Sequence, residues 1–157
     1  MASAFPSGDT NEGSDLTYPK EKAKDILYPT LEGIKKAVSQ KDIELLSTFI
    51  AFPLNITTNE KVSSKSGNPK NKVMMIQNFA ELKGMFDDIF NRTNSDLISC
   101  LTVDNMTYDR YKGFSAAYGG IWISDVIDNG KRNFFITSIT LNPKPVEMWM
   151  EKNCNLK

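Results

Sequence analysis

Two apolar runs joined by an Asp-Asn-Gly turn constrain this chain more than any other feature. Residues 114–127 (FSAAYGGIWISDVI) and 133–141 (NFFITSITL) are rich in aromatic and β-branched residues, which suit a pleated, half-buried surface. Asp128-Asn129-Gly130 lies between them, and these residue types tolerate the positive φ of a tight hairpin turn. The pattern predicts a long β-hairpin. A lone hairpin is marginal in water, so one this apolar must be covered by other elements.

The cover comes from upstream. Leu27, Leu31, Ile34 and Val38 recur at helical spacing and predict a helix over 21–39 with one apolar face. Pro29 predicts a kink, or a fresh start at Thr30. A second helix is expected from Lys41-Asp42 through Ile43, Leu46, Phe49 and Ile50, ended by Pro53. Residues 54–57 and 73–76 read as short strands, with a polar loop over 58–71. Asn78, followed by Glu81, forms a capping box for a third helix over 78–90. Its apolar residues, among them Phe79, Leu82, Phe86 and Ile89, fall in one arc and are expected to pack on the hairpin. Asp87 and Asp88 then point to water.

Residues 97–103 and 106–111 are expected as two further strands, and Pro143 and Pro145 stop the sheet. Residues 1–19, polar and rich in Gly and Ser, cannot bury enough surface to offset chain entropy and read as a disordered leader. The expected organisation is one domain over 20–142, with residues 143–157 as a tail docked on it. Helices first and strands later predict an α+β fold, with N-terminal helices on one face of a curved antiparallel sheet.

Three stretches carry a resemblance: KDIELLSTFIAFPLNI at 41–56, NFAELKGMFDDIFN at 78–91, and GFSAAYGGIWISDV at 113–126 followed by NFFITSITL. Together they resemble the nuclear transport factor 2-like group, also called cystatin-like or ketosteroid-isomerase-like, in its small exported bacterial members. The resemblance implies a cone-shaped domain whose mouth takes a small apolar molecule or a partner. The adjacent glycines of Ala117-Tyr118-Gly119-Gly120 depart from the group's pattern and predict a local bulge or bend.

Composition removes much chemistry. The chain has no histidine, which excludes Ser-His-Asp and Cys-His catalysis, His-ligated zinc and an imidazole pH switch. Lys+Arg and Asp+Glu both number 19, so the basic excess of a nucleic-acid binder is missing. No apolar run is long enough to span a membrane. No cofactor and no metal site is expected.

The acids on expected strands are Asp104, Asp109 and Asp125, and none is placed by sequence beside both a tyrosine and a cavity. Tyr108, Arg110, Tyr118 and Trp122 are the binding candidates, because aromatic and Arg side chains dominate contact hot spots. Trp122 as a plain core residue is the competing reading. Cys100 and Cys154 are expected to form a disulfide in an oxidising compartment.

The sequence therefore reads as a non-catalytic binding protein for a protein partner or a small apolar ligand. It would be a periplasmic or otherwise exported accessory or immunity-type protein, with a cytoplasmic location as the alternative. A ketosteroid-isomerase-like or dehydratase-like enzyme is the alternative function, and a homodimer through the sheet stays open. A deep apolar pocket holding an inward Asp beside a Tyr would favour the enzyme; a filled interior would favour the binding protein.

Overall fold

A computed structural model describes residues 19–60, 70–128 and 131–154. Apart from Pro19, the expected leader lies outside the described residues, as do the middle of the 58–71 loop and Asn129-Gly130. In chain order the elements are α1 (Lys20–Ser39), α2 (Ile43–Ser47), β1 (Ile50–Glu60), β2 (Lys70–Ile76), α3 (Phe79–Ile89), α4 (Arg92–Cys100), β3 (Thr107–Asp109), β4 (Gly113–Ala116), β5 (Ile121–Asp128), β6 (Lys131–Leu141) and α5 (Pro143–Asn153). The six strands form one sheet in the order β2-β1-β6-β5-β4-β3. The fold is α+β, with one correction to the expected sheet: β1 and β6 run parallel, so the sheet is mixed.

α1 buries the expected stripe of Leu27, Leu31, Ile34 and Val38, extended by Ala23 and Ala37. Pro29 sits inside this helix and does not divide it. Pro29 and Asp25, whose carbonyl the missing N–H would have met, are both exposed, so the freed group is open to solvent. α2 is a single short helix rather than one running to Pro53. The hydroxyls of Ser47 and Thr48 bond back to the carbonyls of Glu44 and Leu45, at 2.6 Å each, which competes with helix continuation. The Phe49 carbonyl instead accepts from Ile136 N–H at 2.8 Å and starts the sheet.

Asn78 caps α3 as expected, and Asp87 and Asp88 are exposed. α3 packs on α2, and its Phe86 belongs to the common core. The expected strand over 97–103 is wrong. Residues 92–100 are helix α4, and its buried face is Asn94, Leu97 and Ile98. Three side chains fold the α3–α4 corner. Asn91, Asn94 and Ser95 donate to the carbonyls of Asp88, Ile89 and Phe90, which the end of α3 leaves without helical partners. The expected tail is helix α5, started by Pro143 and packed on α4, with Val146, Trp149 and Met150 buried.

The core lies between the helices and one face of the sheet. Ile50, Ile136, Ile123, Phe114 and Tyr108 stand side by side across five strands. Phe114 meets Phe134 edge to face at 5.6 Å and Tyr108 at 4.9 Å, separations that suit aromatic pairs.

Candidate functional site

The other face of the sheet carries a second row. Met75, Asn55, Ser138, Trp122, Ser115 and Thr107 lie in register across all six strands. Trp122 is the large side chain at its centre, flanked by two serines. It is half-buried and belongs to this outer row rather than to the core.

Two local features shape the surface around it. The first is a bulge in β6. Trp122 pairs with Ser138, but Ile123 pairs with Ile136, so Thr137 is an extra residue. The bulge keeps Ile136 and Ile139 buried while Thr137 and Ser138 both reach the outer face. The Thr137 hydroxyl meets that of Ser124 at 2.9 Å.

The second feature is the β3–β4 turn. The Asp109 carboxylate accepts from the backbone N–H of Tyr111 at 2.8 Å and of Lys112 at 3.1 Å. Gly113 follows with φ +104°, and a Cβ there would lie 2.5 Å from the Ile123 carbonyl oxygen. Only glycine lets the turn close against β5. The closure brings the Lys112 ammonium within 5.7 Å of the Trp122 ring centroid, a cation–π distance.

Trp122, Lys112 and Tyr111, with Asn55, Ser124, Asp125, Thr137 and Ser138, line an open groove of about 290 Å³. Its walls carry hydroxyls, an amide, one ammonium and one carboxylate around an aromatic floor.

The four binding candidates separate. Trp122 lies in the groove. Arg110 is exposed, and its guanidinium lies 5.3 Å from the ring centroid of Tyr111 at the groove's edge. Tyr108 lies on the opposite face against Phe114. Tyr118 stands 63% exposed on the β4–β5 turn. That turn corrects two expectations at once: 114–127 is two strands rather than one, and Tyr118 does not share a strand face with Trp122. Ala117, Tyr118 and Gly119 all take positive φ, and Gly120 N–H bonds to the Ala117 carbonyl at 2.9 Å.

Sequence reading missed Tyr111, Lys112, Asn55, Ser124, Thr137 and Ser138. One signal was present: Thr137-Ser138 stands between Ile136 and Ile139 and breaks the alternation of the strand.

The candidate acids also separate. Asp104 pairs with Lys24 at 2.8 Å. That hydrogen bond, reinforced by the charge of Lys24, holds its carboxyl below the usual value and raises the Lys24 ammonium above its own. Asp109 caps the turn described above, and Asp125 lines the groove.

Behind the sheet, the gap bounded by Asn94, Leu97, Ile98, Gly120, Ile121 and Ile139 holds no room for a water molecule. Among the described residues no group of three or more His, Cys, Asp or Glu is placed to hold a metal, and no helix is long and apolar enough to cross a membrane. Cys100 and Cys154 form a disulfide, with Cα atoms 5.6 Å apart, tying the end of α4 to the end of α5. Comparison of the chain with protein-family models, curated proteins and solved structures finds no match in any of the three.

Proposed function

We propose that this protein is a non-catalytic binding module of the nuclear transport factor 2-like kind, and that it binds through the outer sheet face around Trp122. The observation that carries the reading is the contrast between the two faces. The inner face is packed with Phe114, Phe134, Ile123 and Ile136, each at most 1% exposed. A substrate in the cone would have to displace them. The outer face presents a partly exposed tryptophan in a groove with polar walls, the composition expected of a recognition site. The stretches that carry the resemblance hold α2 with the start of β1, then α3, then β4 to β6, which supports the reading. The Cys100–Cys154 bond supports an exported protein, since such bonds persist in oxidising compartments.

An NMR screen of the full chain against a mixed fragment set tests this reading. Resonance shifts are expected to cluster on Asn55, Trp122, Ser124 and Ser138. Shifts centred on Phe114, Ile123 and Ile136, produced by a steroid-like fragment, would place the ligand behind the sheet and overturn it.

A further inference from the structure

We propose that the Trp122 groove binds a neutral, polyhydroxylated ligand, a sugar ring of an oligosaccharide laid by its C–H face on the indole. The inference rests on the reading of this groove as the binding face and names the chemistry of its ligand.

The floor comes first. In the outer row the cross-strand neighbours of Trp122 are Ser115 and Ser138. Both are small, and the indole keeps part of its surface exposed. An indole face is electronegative and attracts groups of positive character. Lys112 already places its ammonium over the ring. Lys112 is exposed, and its long flexible stem lets the ammonium move to the rim when a ligand lies on the ring. The weakly positive C–H face of a pyranose meets the same electrostatic demand with more apolar area.

The walls come second. Ser124 and Thr137 share one hydrogen bond at 2.9 Å. Each hydroxyl is both a donor and an acceptor, so the pair keeps one donor and several lone pairs for a ligand. Asn55 adds a donor and an acceptor, Ser138 a further hydroxyl and Lys112 donors. A ligand able to meet this set carries many groups that donate and accept at once, as vicinal hydroxyls do.

Other ligand classes fit less well. A purely apolar ligand would strip water from these polar groups and leave them without partners, which opposes binding. A cation would face the Lys112 ammonium. Ligand pockets for drug-sized molecules start near 300 Å³, and a groove of about 290 Å³ suits a ligand at the small end, such as a sugar unit of a longer chain.

The test is a titration of the full chain, read at the two tryptophan indole N–H resonances. Trp149, in α5 and 7% exposed, is the internal reference. The probes are a β-1,4-linked glucose tetramer, a β-1,4-linked N-acetylglucosamine trimer and an α-linked mannose trimer, with adenosine, octanoate and inorganic phosphate as the other classes. At least one oligosaccharide is expected to shift the Trp122 signal saturably while Trp149 stays still. Both Trp122 variants lack that indole and are read at the Ser124 and Ser138 backbone amides; Trp122→Ala should weaken the binding by about tenfold or more, as loss of an aromatic anchor does. Trp122→Phe, which keeps an aromatic face and secures the test should the alanine variant fail to fold, should weaken it less. Thr137→Val should weaken it with no change in Trp149. A Trp122 signal unmoved by all three oligosaccharides, or affinity unchanged in Trp122→Phe and Thr137→Val together, overturns the proposal. If adenosine, octanoate or phosphate moves Trp122 and the sugars do not, the sugar assignment fails and the groove remains the binding face. If no probe of any class moves Trp122 and a steroid moves the resonances of Phe114 and Ile123, the groove reading fails as well.

Discussion

Replacing both Cys100 and Cys154 with serine should cost about 4 kcal/mol of stability while leaving α5 in place. The bond closes a loop with a sequence separation of 54. In the chain-entropy account, a loop of that length restricts the unfolded chain by about 4 kcal/mol at 25 °C. The folded side of the balance should change little. α5 buries Val146, Trp149 and Met150 against the core without help from the sulfurs. The Asn105 amide also bridges the Cys100 carbonyl at 3.0 Å and the Asn153 carbonyl at 3.5 Å, bracing the same corner. Urea unfolding measures the total. For a chain of this size the melting temperature should fall by roughly 8–16 °C, at roughly 2–4 °C per kcal/mol. The Trp149 indole N–H resonance separates the two possible origins. An unshifted signal in the folded variant means that α5 is still docked and the loss lies in the unfolded state. A shift to the position of an exposed indole in native buffer would mean that the bond, rather than packing, holds α5 down. A loss below about 1 kcal/mol would refute the entropic reasoning outright.

Three further outcomes follow from other parts of the molecule. Phe114→Ala should cost about 3–5 kcal/mol in urea unfolding, because Phe114 is fully buried between Tyr108 and Phe134; a loss under about 1 kcal/mol would mean that this aromatic cluster collapses around the gap. Tyr118→Gly should raise stability by about 1 kcal/mol, since Tyr118 holds φ +55° with its side chain 63% exposed; a loss of stability would show that the ring packs on its surroundings. The Lys24–Asp104 pair gives a pH dependence of known sign. The Asp104 carboxyl is lowered in the folded state, so its contribution is present above the unfolded carboxylate pKa and is lost as pH falls through the folded one. Lys24 is raised, so its contribution is present below the unfolded amine pKa and disappears as pH rises through the folded one. Asp104→Asn should flatten the acid limb of the stability–pH curve relative to the parent, and an unchanged limb would remove the pair from the account.

Where the sequence carries a strong period, fold and sequence agree. α1 and α3 were legible because their apolar residues repeat at helical spacing, and Asn78 with Glu81 marks a start that tolerates little ambiguity. α4 was not legible. Leu97, Ile98 and Leu101 are apolar and buried, but in a short window LISCL reads equally as a strand core. The features that decide for a helix are the Asn91 cap and the bonds from Asn91, Asn94 and Ser95 back to α3, local contacts among polar residues that the apolar pattern does not carry. The β4–β5 turn was hidden for a different reason. Ala117 and Tyr118 are not residues that announce positive φ, and the glycines behind them read as a bulge within one strand. The parallel pairing of β1 with β6 joins residues far apart in the chain, and no local pattern encodes it. At the site, Trp122 was legible as a type of residue. Tyr111 and Lys112 were not, because only the Asp109 turn and Gly113 bring Lys112 over the indole and Tyr111 to the groove's edge.

The fold and the groove are linked through one residue. In a regular strand, period-two alternation places one side chain between two core positions. Between Ile136 and Ile139 there are two, Thr137 and Ser138, and the sheet accepts both only by letting Thr137 bulge out of register. Without that bulge Ile139 would turn to water and the core would lose the residue that pairs with Ile121. The constraint that keeps the hydrophobic face intact is thus the same one that sets two hydroxyls side by side on the outer face. One of them meets Ser124, and the other sits in register with Trp122. The two faces therefore cannot be varied independently. A change that regularises β6 removes the hydroxyl pair, and a change that enlarges Ser138 meets the indole. This coupling is why the polar walls of the groove lie at Trp122 rather than elsewhere on a sheet face that is polar along much of β1 and β6.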